Sequence, residues 1–283
     1  MTTTTEARTE TEQRAFAFLD LNERPPKPRK RGVTEIRGPY YTPVGRRYLE
    51  DLLETMGAYV DTLKYAGGSF ALMPREAVRA LNELCHQHEV EVSTGGFLEY
   101  VLTQRGDAVA RYLEECQELG FDIVEISSGF VTLPVDDLGR LTKAVGEAGL
   151  KPKPEVGIQF GAGGTSSVEA LEAEGTRDVG YAIELSKRHL DAGAHMIMIE
   201  SEGITEQVRE LRTDVVARIV AELGLERVMF EAAEPEVFSW YIKNYGIDVN
   251  LFVDHSQIVQ LEGLRAGIWG AHDTWGRMLA YRD

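Results

Sequence analysis

From Gly32 onward the chain alternates short apolar runs with amphipathic stretches, eight times over, at a pitch of about 30 residues, the size of one βαβ unit. The apolar runs at 32–36, 59–64, 90–93, 121–126, 150–156, 195–200, 227–231 and 248–252 have strand length. The amphipathic stretches at 46–56, 74–88, 108–119, 136–148, 178–192, 213–223, 235–245 and 256–267 have helical length and period. Glycine punctuates five of the helix-to-strand junctions, at Gly120, Gly149, Gly193, Gly224 and Gly246, where a helix ends by turning left-handed. A doubly wound open sheet usually has fewer strands and a Gly-rich first turn, so this punctuation predicts a closed (β/α)8 barrel. With 283 residues, 43% of them hydrophobic, the chain can fill one such core. The barrel is expected over 24–283. A flexible arm is expected over 1–23, because its first residues are mostly Thr and Glu. Phe16, Phe18 and Leu21 are expected to dock that arm, and the basic, proline-stiffened run 24–31 reads as a solvated, extended entry to the fold.

A barrel of this kind carries its chemistry at the C-terminal ends of its strands. Four strands reach a glutamate there: Glu125, Glu155, Glu200 and Glu231. The same level holds Glu35, Arg37, Lys64, Ser93, Thr94, Ser127, Asn250, Asp254 and His255. Oxygen-rich ligands without paired His or Cys suit Mg²⁺ or Mn²⁺ rather than zinc. The expected ligands are Glu155, Glu200 and Glu231. Lys64 ends an otherwise apolar strand, and an inward lysine needs a partner or a ligand. His255 is the one histidine placed for acid–base work; His86, His88 and His189 fall on helices and read as solvated or packing residues. Three Gly-rich turns, at 66–69, 94–96 and 161–167, could offer backbone amides to an anion.

The formal charge of −16 and pI near 4.9 argue against a nucleic-acid partner, which needs clustered Lys and Arg. No stretch has the length of a membrane span and no signal peptide opens the chain, so a cytoplasmic protein is expected. Cys85 and Cys116 have no motif spacing and read as reduced and structural.

Several motifs together carry a resemblance: Arg31-Gly-Val-Thr-Glu-Ile-Arg-Gly-Pro39, Val60-Asp-Thr-Leu-Lys-Tyr-Ala-Gly-Gly-Ser69, Gly120-Phe-Asp-Ile-Val-Glu-Ile-Ser127, Met229-Phe-Glu-Ala232 and Val249-Asn-Leu251. Over 24–272 the chain resembles the phosphosulfolactate synthase family, barrel enzymes that add sulfite to phosphoenolpyruvate with Mg²⁺. Val253-Asp-His-Ser-Gln-Ile258 is more similar to the branch containing the plant heat-stress-associated protein than to the archaeal enzymes. The resemblance implies a lyase-type addition to an enol phosphate or related small anion. Lys64, Glu125, Glu155 and His255 would be its catalytic residues. Arg37, Gly67, Gly68, Ser69, Ser127 and Asn250 would hold substrate, and no organic cofactor is expected. The chain departs from the archaeal pattern where Ile158 follows Glu155-Val156-Gly157 in place of a lysine, and Arg37-Gly38 replaces Asp-Lys-Gly. Such losses of cationic positions leave room for a different anionic substrate, or for a non-catalytic stress-associated barrel acting through protein contacts. A Schiff-base aldolase using Lys64 is a further reading. A homo-oligomer is expected.

Overall fold

Each strand alternates an outward apolar residue with an inward residue that is mostly charged or a methionine, and this two-residue period shapes the molecule. The computed structural model describes residues 14–159, 162, 166–176, 178–232, 234–268, 274 and 277–280. Its eight parallel strands close into a barrel in chain order: β1 (Thr34–Arg37), β2 (Thr62–Lys64), β3 (Glu91–Ser93), β4 (Ile123–Ile126), β5 (Lys151–Val156), β6 (Ile197–Ile199), β7 (Val228–Glu231) and β8 (Leu251–Asp254). The outward residues, such as Ile36, Leu63, Val124, Ile199, Phe230 and Val253, join the main core beneath the helices. Val33, Met196, Met198, Met229 and Phe252 have the opposite parity and form a separate cluster that plugs the barrel interior.

The helices are α1 (Arg46–Met56), α2 (Arg75–Gln87), α3 (Leu98–Leu102), α4 (Ala108–Leu119), α5 (Val135–Glu147), α6 (Val168–Glu174), α7 (Val179–Asp191), α8 (Thr213–Leu223), α9 (Pro235–Tyr245) and α10 (Ile258–Arg265). The five junction glycines all take positive φ, as the punctuation requires. Helices α3 and α6 lie inside connections that the sequence pattern reads as loops; each is too short to show a period.

Strand β8 starts three residues later than the expected run at 248–252. Asn250 accepts from the Val33 amide at 2.8 Å and donates to the Leu225 and Val228 carbonyls at 3.0 Å, so it belongs to the turn that enters the strand. Leu251, Phe252 and Val253 then carry the ladder, with Phe252 opposite both Glu231 and Glu35.

The basic run at 24–31 is solvated only in part: Lys30 and Arg31 are exposed, while Arg24, Lys27 and Arg29 are engaged by the barrel. Lys27 donates to the carbonyls of Gly57 and His88 at 2.8 and 2.9 Å, capping the ends of α1 and α2, where unpaired carbonyls and the negative dipole end favour a cation. Arg29 pairs with Asp61 at 2.8 Å, while Arg24 pairs with Glu262 beside the fully buried Arg265. Asn22 bonds to the backbone of Arg265, Ala266 and Met278, so docking begins ahead of residue 24. Phe16 and Phe18 do not dock: they pack on each other, 70% and 81% exposed. Residues 1–13 of the expected arm lie outside the described residues.

Candidate active site

Strand parity brings Lys64, Glu125, Glu155, Glu200 and Glu231 together at the C-terminal end of the barrel. The Lys64 ammonium lies 2.9 Å from Glu125 and 3.4 Å from both Glu155 and Glu231. It also sits 4.5 Å from the centre of the Phe252 ring, whose face attracts a cation. Burial alone would drive this lysine neutral. The surrounding carboxylates outweigh that cost, and its pKa stands well above the usual value.

One oxygen each from Glu155, Glu200 and Glu231 lies within 4.8 Å of the others. Burial beside the other two carboxylates pushes Glu200 well above the ordinary carboxylate range and, with Glu125 as the first of its charged neighbours, pushes Glu155 up to about 8. Glu231 goes the other way: Lys64 and Arg37 overcome its burial and keep it ionised. The pair Glu200 and Glu231 therefore reads as acid and carboxylate sharing a proton. Glu35, Glu125, Glu155, Glu200 and Glu231 face into the barrel beside Lys64 and Lys153, a deficit of cations that protons on Glu155 and Glu200 offset. A hard divalent cation fits that deficit and that oxygen-only donor set. Glu206 adjoins the cluster through Ser201, whose hydroxyl is 2.7 Å from it.

Arg37 ends β1 among the rings of Tyr40, Tyr41 and Phe252 and makes no ion pair among the described residues, which leaves its guanidinium available to an anion. His255 follows β8 with Nδ1 3.0 Å from Asp254 and its ring against Tyr48. Although burial opposes it, hydrogen bonds from His255 and Ser256 hold the Asp254 carboxyl well below the usual range.

Other expected site residues are occupied elsewhere. Asn250 lies at the opposite end of its strand and all its amide groups serve the entering turn, so it is no part of this rim. The turn at Gly67 and Gly68 packs its glycine faces against two aromatic rings. Both have positive φ, and an added Cβ would lie 2.7 Å from Tyr40 and 2.2 Å from Phe97, so aromatic rings fill the space. Ser69 spends its hydroxyl on the Pro39 carbonyl at 2.7 Å. Ser127 donates to Glu99. In the turn at 94–96, a Cβ on Gly95 would meet the Tyr65 carbonyl at 2.3 Å and the Lys64 side chain at 3.5 Å, so the backbone passes directly beside the lysine. Gly161, Gly163, Gly164 and Thr165 of the third Gly-rich turn lie outside the described residues.

Two residues escaped the sequence reading, Lys153 and Glu99, and a third, Glu35, was misplaced by it. Glu35 is not at the rim: it lies deeper, fully buried, bonded to the equally buried Lys153 at 2.5 and 2.6 Å. The alternation Lys151-Pro-Lys-Pro-Glu155 does signal an inward Lys153, since it shares parity with Glu155. Glu99 on α3 accepts from Ser127 Oγ and from the amides of Gly129, Phe130 and Val131, pinning the loop after β4. Its position between two loops gives no sequence signal.

The fold and the site define a class: a (β/α)8 barrel whose C-terminal mouth carries a lysine within a ring of carboxylates able to take a divalent cation. Residues 22–271 match the (2R)-phospho-3-sulfolactate synthase (ComA) family, and the chain belongs to it. The chain is 38% identical over 259 residues to Protein HEAT-STRESS-ASSOCIATED 32 of Arabidopsis thaliana, covering 88% of this chain and 91% of that one. It is 29% identical over 271 residues to the phosphosulfolactate synthase of Methanothermobacter thermautotrophicus, covering 93% and 98%. Among solved structures, the carboxyl transferase domain of Rhizobium etli pyruvate carboxylase superposes with a TM-score of 0.54 at 14% identity, over 80% of this chain and 40% of that one, a likeness of fold alone. No helix among the described residues is long and apolar enough to cross a membrane.

Proposed function

We propose that the protein is a phosphosulfolactate synthase-type lyase that adds a nucleophile, sulfite in the family, to phosphoenolpyruvate or a related enol phosphate. The carrying observation is the Glu155, Glu200 and Glu231 cluster around Lys64 at the rim of a barrel matched to that family over 22–271. In the reaction, a bond forms from the nucleophile to the methylene carbon. The double-bond pair moves toward the adjacent carbon and its carboxylate, and that carbon takes a proton. A Mg²⁺ or Mn²⁺ ion held by the three glutamates would stabilise the negative charge developing on the carboxylate. Lys64 and Arg37 bind the anionic groups. With the three glutamates on the cation, His255, held by Asp254, would deliver the proton to the adjacent carbon. This reading includes a small anionic substrate, no organic cofactor, no nucleic-acid or membrane partner, a cytoplasmic setting and a homo-oligomer.

A second reading, a barrel that acts through protein contacts in a stress response, is favoured by the 38% identity to the heat-stress-associated relative. Thermal unfolding with Mg²⁺ and phosphoenolpyruvate, with and without sulfite, separates the two, since a ligand of the folded state raises Tm. A metal-dependent rise that is lost in Glu200→Gln, followed by a sulfonated product, is the expected result. No shift at saturating ligand would overturn the phosphoenolpyruvate assignment.

A further inference from the structure

Beneath the rim, the barrel interior holds a ladder of alternating charges that the proposed chemistry does not use. Glu35 on β1 and Lys153 on β5 cross the barrel axis to meet at 2.5 Å, both almost wholly excluded from solvent. The same ammonium lies 3.7 Å from Glu125 Oε2, the very atom that Lys64 approaches at 2.9 Å from above. Glu125 Oε2 is buried and has no hydrogen-bond partner, so its position depends on the two ammonium groups on either side of it. Below Glu35 the N-terminal mouth opens into a cavity of about 490 Å³. Three ion pairs line it, Arg29 with Asp61, Lys151 with Glu91 and Lys153 with Glu35.

We propose that Lys153, held by Glu35, is a positioning residue that fixes the Glu125 carboxylate and through it aims Lys64 at Glu155 and Glu231. Lys64 has three carboxylates to choose from, and a lysine side chain has rotamers enough to follow whichever attracts it most. With Lys153 in place, the charge of Glu35 is compensated locally and Glu125 is shared between two cations. Lys64 then keeps its 3.4 Å contacts to the rim. Without Lys153, two buried carboxylates would share Lys64 alone, and Coulomb attraction would draw it down the barrel, away from any substrate.

The pose of Lys64 can be read without any assay of turnover. In full-length protein labelled with ¹⁵N-lysine, the buried Lys64 ammonium should give a slowly exchanging resonance, assigned by its loss in Lys64→Met. Lys153→Met should shift that resonance and speed its exchange, and the double variant Glu35→Gln/Lys153→Met, which removes both charges, should return both towards wild type. A Lys64 signal unmoved in folded Lys153→Met overturns the proposal. If that variant does not fold, Glu35→Gln carries the test: it frees Lys153 for Glu125 and must move the Lys64 resonance, and an unchanged signal overturns the proposal equally. A kinetic arm rests on the proposed function. If wild type turns over phosphoenolpyruvate with sulfite, Lys153→Met should lower kcat by about tenfold or more with little change in KM, and the double variant should recover most of it. Wild type without turnover would count against the reaction, while the resonance still decides the ladder.

Discussion

At the residue scale, burial gives the rim and the helical shell opposite pH responses. Between the ordinary carboxylate value and about 8, folded Glu155 holds a proton that the unfolded chain has lost. Its contribution to stability is therefore complete at low pH and falls as pH rises through that window. A bound cation needs the ionised form and abolishes the effect. Melting curves between pH ~6 and ~9 should accordingly show Tm falling with pH in chelator, and a Mg²⁺-induced rise that grows with pH. His189 behaves in reverse. Buried with Nδ1 2.8 Å from Thr142, it is pushed down to about 4, so the unfolded state binds the extra proton between 6.5 and 4. Acidification through that range should cost ~3 kcal/mol, and His189→Gln should flatten the acid limb of a stability–pH curve.

At the element scale, the loop after β4 hangs on a single side chain. Glu99 takes four donors from 127–131, while Phe130 points outward, 76% exposed. A glutamine there can accept on one oxygen only and brings an amide group towards backbone donors, each lost buried bond costing about 1–3 kcal/mol. In Glu99→Gln the amides of Gly129, Phe130 and Val131 should exchange with deuterium about tenfold faster or more, while those of β4 and β5 keep their protection. Uniform loosening of the barrel would show that Glu99 supports the core rather than the loop. Gly95 holds the neighbouring turn by another device, a positive φ beside a backbone carbonyl that leaves no room for a side chain.

At the scale of the whole molecule, the strap across the N-terminal mouth closes the first unit of the barrel against the last. Arg24, Lys27 and Arg29 hold Glu262, the ends of α1 and α2, and Asp61, while Asn22 reaches the segment after α10. A chain starting at Leu21 should melt close to full length, whereas one starting at Gly32 should unfold at markedly lower temperature or aggregate, as circular dichroism will show. Equal Tm values would mean that the strap is dispensable.

Local chemistry written into the chain determined the eight-unit barrel, the helix ends at glycine and the convergence of Lys64, Glu125, Glu155, Glu200 and Glu231. Period, punctuation and strand parity are properties of neighbours in sequence, and a closed parallel sheet turns them into a common rim. Tertiary structure alone decided what depends on distant partners. Asn250 looked like a rim residue until the Val33, Leu225 and Val228 backbones claimed its amide, and Glu35 looked like another until Lys153 met it across the barrel. Gly67 and Gly68 must lack a side chain because Tyr40 and Phe97 stand where a Cβ would go. In each case the deciding contact joins residues far apart in the chain, and burial charges its full cost for a polar group only once the fold has chosen that group's partner.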